Sequence, residues 1–502
     1  MPSHLERLRH LLGEVFDLRA ASAVLEWDQQ VNMPPGGAPN RAAQLSTIGR
    51  LAHETFISDE VGAELDAAQG EAASLDPDSD DARLVRKVRR DYTKARKVPA
   101  EFVGEFARVS ALAQGAWTRA RPADDFASFA PHLEQVFEMR RQYADFFAPY
   151  DHRYDAMLDD FEPGLKAAQV KAVFDELRPR QVALVRAIQE RGRPVDDAFL
   201  HLDYDLQKQW DFGVEIARAY GYDFNRGRQD KSAHPFTTSF GLGDVRITTR
   251  FYPKLLTSSI FSTMHETGHA LYDQGSKPSL DRTPLLGGTS LAIHESQSRM
   301  WENFVGRSRA FWSGFFPRLQ ALFPSQLNKV DVEAFYRAIN KVQPSLIRVE
   351  ADEATYNLHI MLRFDLELAL AEKSLDVRHL PEQWNAKMKE YLGLTPPDDK
   401  DGVLQDVHWS TGYMGYFPTY ALGNLIAAQL WERIQADLPA LHQEIARGQF
   451  GSLLAWLREH IHQHGGKFEP VELLQRVVGG GLSAQPYLRY LESKFGEIYG
   501  LS

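Results

Sequence analysis

Apolar residues recur at intervals of three and four along most of the chain, as in HLERLRHLLGEVFDL from His4 and LLAWLREHIHQH from Leu453. That spacing gathers them on one side of an α-helix, so a mainly α fold is expected. One segment departs from it. Phe236 to Tyr252, FTTSFGLGDVRITTRFY, is rich in β-branched and aromatic residues around Gly241-Leu242-Gly243, which predicts a β-hairpin. An acidic loop, Ser74 to Asp81, precedes a run that puts Arg83, Arg86, Lys87, Arg89, Arg90, Lys94, Arg96 and Lys97 on one helix. Acidic flanks and the lack of an aromatic stacking pattern make this a solvated face rather than a nucleic-acid surface. Breaks at Glu162-Pro163-Gly164, Arg191 to Pro194 and Pro396 to Asp399 are too short to link independent domains. The chain reads as one domain over residues 1–502.

Composition removes several classes of function. At 43% hydrophobic and 25% charged residues the chain is an ordinary globular protein. It has no cysteine, which excludes disulfides, thiolate metal sites and a cysteine nucleophile, so any metal must be held by His, Asp or Glu. A formal charge of −11 argues against nucleic acid as the partner. No apolar run approaches the roughly 20 residues of a membrane span, and the charged, helical start is unlike a secretory signal, so a cytoplasmic protein is expected.

The most informative stretch follows the hairpin by about a dozen residues. FSTMHETGHALY contains His265-Glu266-Thr267-Gly268-His269. Residues four apart share a helix face, so both imidazoles can address one ion while Glu266, on an adjacent face, serves as general base toward a water. A catalytic site needs a third ligand and an open fourth position. No histidine stands six residues after His269, which excludes the metzincin pattern. About 25 residues on, Leu291 to Gln297 reads LAIHESQ; Glu295 is the expected third ligand and His294 its rival. Asp273, one turn beyond His269, is in register to accept from that ring. His460, His462 and His464 alternate along a helix and therefore diverge; they are expected to be structural, at a helix terminus.

With these residues in view, the sequence resembles the carboxypeptidase Taq family of metallocarboxypeptidases. Six motifs carry the resemblance in order: His234-Pro235-Phe236, Asp244 to Thr248 (DVRIT), His265 to His269, His294 to Gln297 (HESQ), Ile347 to Asp352 (IRVEAD) and Gly402 to Trp409 (GVLQDVHW). WDQQVNMPPGGAPNRAAQL and GYFPTYALGN are also similar to family segments, so the match is nearly complete. The resemblance implies a mainly α, two-lobed metallopeptidase with a deep central groove, a small sheet beside the motif helix, and a helical region of about residues 1–110 over that groove. It implies His265, His269 and Glu295 as ligands of zinc or cobalt, Glu266 as base, a homodimer, and release of single C-terminal residues from peptides with broad specificity.

Two further groups follow from that chemistry. Tyr416, Tyr420 or His408 would stabilise the oxyanion. An arginine would clamp the terminal carboxylate, with Arg348 preferred over Arg246, and His234 is expected among the substrate-binding residues. Arg348 could instead pair with Asp352 one turn later. The alternatives are a metallo-oligopeptidase that cuts internally or releases dipeptides, and a helical binding protein whose metal site is structural.

Overall fold

The computed structural model describes residues 2–501. Helices dominate it. The first, His4–Val31, begins with a reciprocal cap: Ser3 Oγ accepts from Glu6 N–H at 3.1 Å, and Glu6 returns to Ser3 N–H at 2.8 Å. With the helices Ala38–Phe56, Asp59–Ala72 and Asp80–Lys97 it encloses a small core of its own, including Leu8, Leu12, Phe56, Val61, Leu65, Leu84 and Val88, sealed by Leu280 and Leu285. The main core is separate and larger. Its centre is formed by the helices Tyr356–Ala371 and Pro418–Asp437. Both are buried on nearly every side, as helices surrounded by others are.

The basic run lies on the helix Asp80–Lys97 and is occupied in ion pairs. Arg83 meets Glu472 at 2.7 Å, Lys87 meets Asp91, and Arg90 and Lys94 converge on Asp159 at 2.9 and 2.7 Å. The pairs to Glu472 and Asp159 tie the N-terminal helices to the rest of the chain, while Lys87–Asp91 lies within the helix.

Three short strands form the only sheet among the described residues: β1 (Gln229–Lys231), β2 (Thr237–Ser239) and β3 (Val245–Thr249), in the order β1-β3-β2. The expected hairpin is the antiparallel pair β2–β3, with Thr237 opposite Ile247 and Ser239 opposite Val245. A third strand, β1, joins β3 in parallel; at three residues it is too short to show a period in the sequence. The sheet rests on the motif helix, Leu256–Gln274, through a 2.9 Å hydrogen bond between the Thr249 and Thr263 hydroxyls. Among the described residues no helix is long and apolar enough to cross a membrane.

Candidate metal centre

The motif helix carries His265 and His269 one turn apart, and the helix Leu291–Arg299, capped by Ser290, brings Glu295 to them. Glu295 Oε2 lies 3.6 Å from His265 Nε2 and 3.5 Å from His269 Nε2. One ligand atom from each residue falls within 4.8 Å of the others. Nitrogen and oxygen donors about 2.0–2.1 Å from a tetrahedral zinc stand roughly 3.3 Å apart, so this set has the right size for one ion. The helices approach closely because position 268 is glycine: a Cβ there would come within 2.6 Å of Ser298 Cα.

The other nitrogen or oxygen of each residue is already committed, which turns these three atoms toward one another; Glu295 Oε2 also accepts from Ser298 Oγ at 3.2 Å. His265 Nδ1 is 2.9 Å from Glu302 Oε2. Arg299 donates to Glu295 Oε1 at 2.7 Å and to Glu302 Oε2 at 3.2 Å. Glu302 belongs to a π-helical stretch, Met300–Gly306, that continues the helix. Burial opposes ionisation of Glu295, but Arg299 and His265 outweigh it and hold the carboxyl well below its ordinary range. Glu302, also buried, is held at about 2 by Arg299 and the His265 hydrogen bond. Burial brings His269 down to about 4, the neutral form a ligand needs.

Behind His269 the partner differs from the expected one. His269 Nδ1 lies 2.6 Å from His294 Nδ1, and His294 Nε2 lies 3.0 Å from Asp273 Oδ1. Asp273 thus supports His269 through His294, whose ring comes in from the neighbouring helix. His294 stands outside the donor set, as a bridge between ligand and carboxylate. Glu302, Arg299 and this His294 bridge were missed by sequence reasoning; the available signal was the spacing of Glu295, Arg299 and Glu302, four and then three apart on one helix face.

Glu266 is 6% exposed. Thr237 of β2 donates to its Oε2 at 2.7 Å. Burial raises the pKa of this carboxyl, the direction that suits a proton acceptor working near neutral pH.

A wall of aromatic residues stands near Glu295. The rings of Tyr416 and Tyr420 are 5.4 Å apart, and His408 is 5.4 Å from Tyr416. Burial raises both phenols, and the Glu295 carboxylate adds to the effect on each. His408, brought down to about 4 by burial, is neutral.

Arg348 is buried and pairs with Asp406 at 2.8 Å, not with Asp352. Residues 348–350 form a 3₁₀ turn rather than an α-helix, and Asp352 instead accepts from Gln343 N–H and the Thr355 hydroxyl. Asp406 also meets Arg363 at 2.6 Å. Two guanidinium groups against one carboxylate leave this cluster one positive charge in excess. Tyr356, another residue that sequence reasoning missed, connects it to the metal centre: its hydroxyl accepts from Arg348 at 3.0 Å, while Arg299 lies 4.7 Å over its ring.

Arg246 is held elsewhere, by Asp244 at 2.7 Å and between the rings of Trp27 and Phe240 at 4.3 and 4.9 Å. His234 is exposed in the turn before β2, its carbonyl accepting from Ser232 Oγ. Among the described residues no hydrogen bond or ion pair links either to the donor set.

A helical fold with two half-buried histidines and a buried glutamate placed to hold one ion, and a second glutamate beside them, is the pattern of an HExxH metallopeptidase. The chain belongs to the carboxypeptidase Taq (M32) metallopeptidase family, whose model matches residues 7–495. It is 44% identical over 504 residues to thermostable carboxypeptidase 1 of Thermus thermophilus, covering 99% of each chain, and 37% identical over 492 residues to carboxypeptidase 1 of Bacillus subtilis, covering 97% of each. The crystal structure of the M32 carboxypeptidase from Deinococcus radiodurans superposes with a TM-score of 0.96 at 44% identity, covering 99% of both chains. The protein is therefore a metallocarboxypeptidase of this family.

Proposed function

We propose that the enzyme releases single C-terminal residues from peptides with broad specificity, using one zinc or cobalt ion held by His265, His269 and Glu295. His265, His269 and Glu295 would hold the ion, which when bound would lower the pKa of a water and act as a Lewis acid toward the scissile carbonyl. Glu266 takes the proton of the attacking water and returns it to the departing amine nitrogen, serving first as base and then as acid. Thr237 fixes the carboxylate while this happens. A phenol of Tyr416 or Tyr420, or the neutral His408, donates to the oxyanion.

The observation that carries exopeptidase action is the excess positive charge of Arg348, Arg363 and Asp406, linked to the donor set through Tyr356. A peptide's terminal carboxylate neutralises that charge, and Arg348 is its clamp; Arg246 and His234 contact substrate farther out. The outer edge of β2 offers backbone pairing to an extended peptide beside Glu266, which binds main chain and so tolerates varied side chains. Trp27 packs on Arg246 from the first helix, which supports residues of about 1–110 lying over one side of a groove within a single catalytic domain. By resemblance to the family, the enzyme works as a homodimer. A cytoplasmic location belongs to the same proposal.

The test is mass spectrometry of an unblocked peptide and its C-terminal amide, with zinc- or cobalt-loaded enzyme and Glu266→Gln. Stepwise loss of single residues from the free acid alone, absent in the variant, is expected. Internal cuts in both peptides would make the enzyme an oligopeptidase instead.

A further inference from the structure

Glu162 is 1% exposed and, among the described residues, has no cationic partner. A buried carboxyl without a counter-ion costs stability unless hydrogen bonds compensate it. Its bonds go to one place, the start of the helix that carries Glu295. Oε1 accepts from Ala292 N–H at 2.5 Å, and the Ser290 hydroxyl beside the carboxyl lowers its pKa against the effect of burial. Ser290 Oγ meanwhile accepts from Ile293 N–H at 3.2 Å, so its proton is free to point at Glu162. The preceding residue adds a third bond, from Leu291 N–H to the Phe161 carbonyl at 3.2 Å. Donors of the first helical turn that have no partner within the helix are thus met by residues 130 positions earlier in the chain.

The turn that presents Glu162 is itself held firmly. Glu162 N–H bonds the Leu158 carbonyl at 2.8 Å, and Gly164 N–H bonds Asp159 at 2.9 Å with Gly164 at φ 79°. Asp160 is anchored by Lys94 and Arg140. The ring of Phe161 packs edge-on against Tyr416 at 5.2 Å. One turn therefore grips the ligand-bearing helix with Glu162 and the aromatic wall with Phe161.

We propose that Glu162 is a positioning residue: by holding the first turn of the helix Leu291–Arg299, it sets the place of Glu295 opposite His265 and His269. This rests on Glu295 being a metal ligand, so the experiment tests that separately. Gln at 162 keeps an acceptor for Ala292 N–H, and its amide can donate to the second lone pair of Ser290 Oγ. Ala at 162 leaves both donors without a partner.

Zinc affinity, by chelator competition well below the melting temperature, would be measured for wild type, Glu162→Ala, Glu162→Gln and Glu295→Gln. Leu65→Ala, in the separate N-terminal core, controls for loss of stability alone. Glu162→Ala should weaken zinc binding about tenfold or more, the size expected for loss of a group that orients a ligand. Glu162→Gln should restore it to within about threefold, and Leu65→Ala should leave it unchanged. Wild-type affinity in Glu162→Ala, alongside loss in Glu295→Gln, would overturn the role of Glu162 and leave the ligand set standing. Wild-type affinity in Glu295→Gln would remove the ligand assignment itself. If Glu162→Ala does not fold, Ser290→Ala and Phe161→Ala carry the same expectation against Leu65→Ala, and wild-type affinity in both would overturn the proposal.

Discussion

Gly423 of the helix Pro418–Asp437 lies directly against Glu295: a Cβ at position 423 would stand 2.5 Å from Glu295 Cγ and 2.6 Å from its Cβ. Backbone passes where a side chain would otherwise be, and the carboxylate is pressed toward the two imidazoles. Gly423→Ala must therefore displace Glu295 or the helix that carries it. We expect zinc affinity to fall about tenfold, with about 1–3 kcal/mol of stability lost to overpacking. Titration of the apoenzyme with zinc, together with urea unfolding, measures both; unchanged affinity would mean that the contact relaxes without moving the ligand.

Glu302 accepts from His265 Nδ1 and shares Arg299 with Glu295. Glu302→Gln weakens the orientation of His265 and leaves Arg299 with one carboxylate. Zinc should bind about 10- to 100-fold more weakly, so the variant loses activity at chelator concentrations that spare the wild type. Zinc or cobalt added in excess should restore most of the turnover. Equal sensitivity of the two proteins to chelator would count against this role.

Arg348 and Arg246 are separated by their surroundings, and kinetics should separate them too. Arg348→Met removes the excess charge of the Asp406 cluster, and kcat/KM for a free-acid peptide should fall about 100-fold or more, the loss of a charge-assisted bidentate contact. Arg246→Met breaks a contact to Trp27 and Asp244 and should cost about tenfold or less. Because burying one acid between two arginines is itself structural, Arg348→Met should also be scored by its melting temperature. A larger kinetic loss for Arg246→Met would exchange the two assignments.

Glu367 predicts a pH dependence of stability. Burial raises it from near 4.5 to about 7, although Tyr154, Trp409 and Gly415 all donate to it. In the unfolded chain it loses its proton near 4.5, while the folded protein keeps the proton up to about 7. Its contribution is therefore complete below pH 4.5 and is lost as pH rises through 7, at up to about 1.4 kcal/mol per pH unit. Urea unfolding of wild type and Glu367→Gln at pH 5 and pH 7.5 should show a smaller fall with pH in the variant. Parallel pH profiles would show that Glu367 is ionised throughout.

Local order was legible wherever one helix or one hairpin contains it. The four-residue interval of His265 and His269 and the β2–β3 hairpin follow from the period of a single element, whereas the alternating histidines lie on two, His460 ending one helix and His462–His464 forming a separate 3₁₀ turn. In the last case His462 is buried against Gln297 at 2.9 Å and His464 ends a 3₁₀ turn. The family and the helical class were legible for a different reason, since six ordered motifs leave little room for another fold. What tertiary structure decided are the partners across elements. Asp406 rather than Asp352 meets Arg348, because the chain at 348–350 does not wind as an α-helix. His294 comes between His269 and Asp273, Glu162 reaches Ala292 across 130 positions, and Gly423 makes room for Glu295. A helical period determines which residues share a face, but it carries no record of what another helix will bring to that face. Those contacts come into being only when the helices pack.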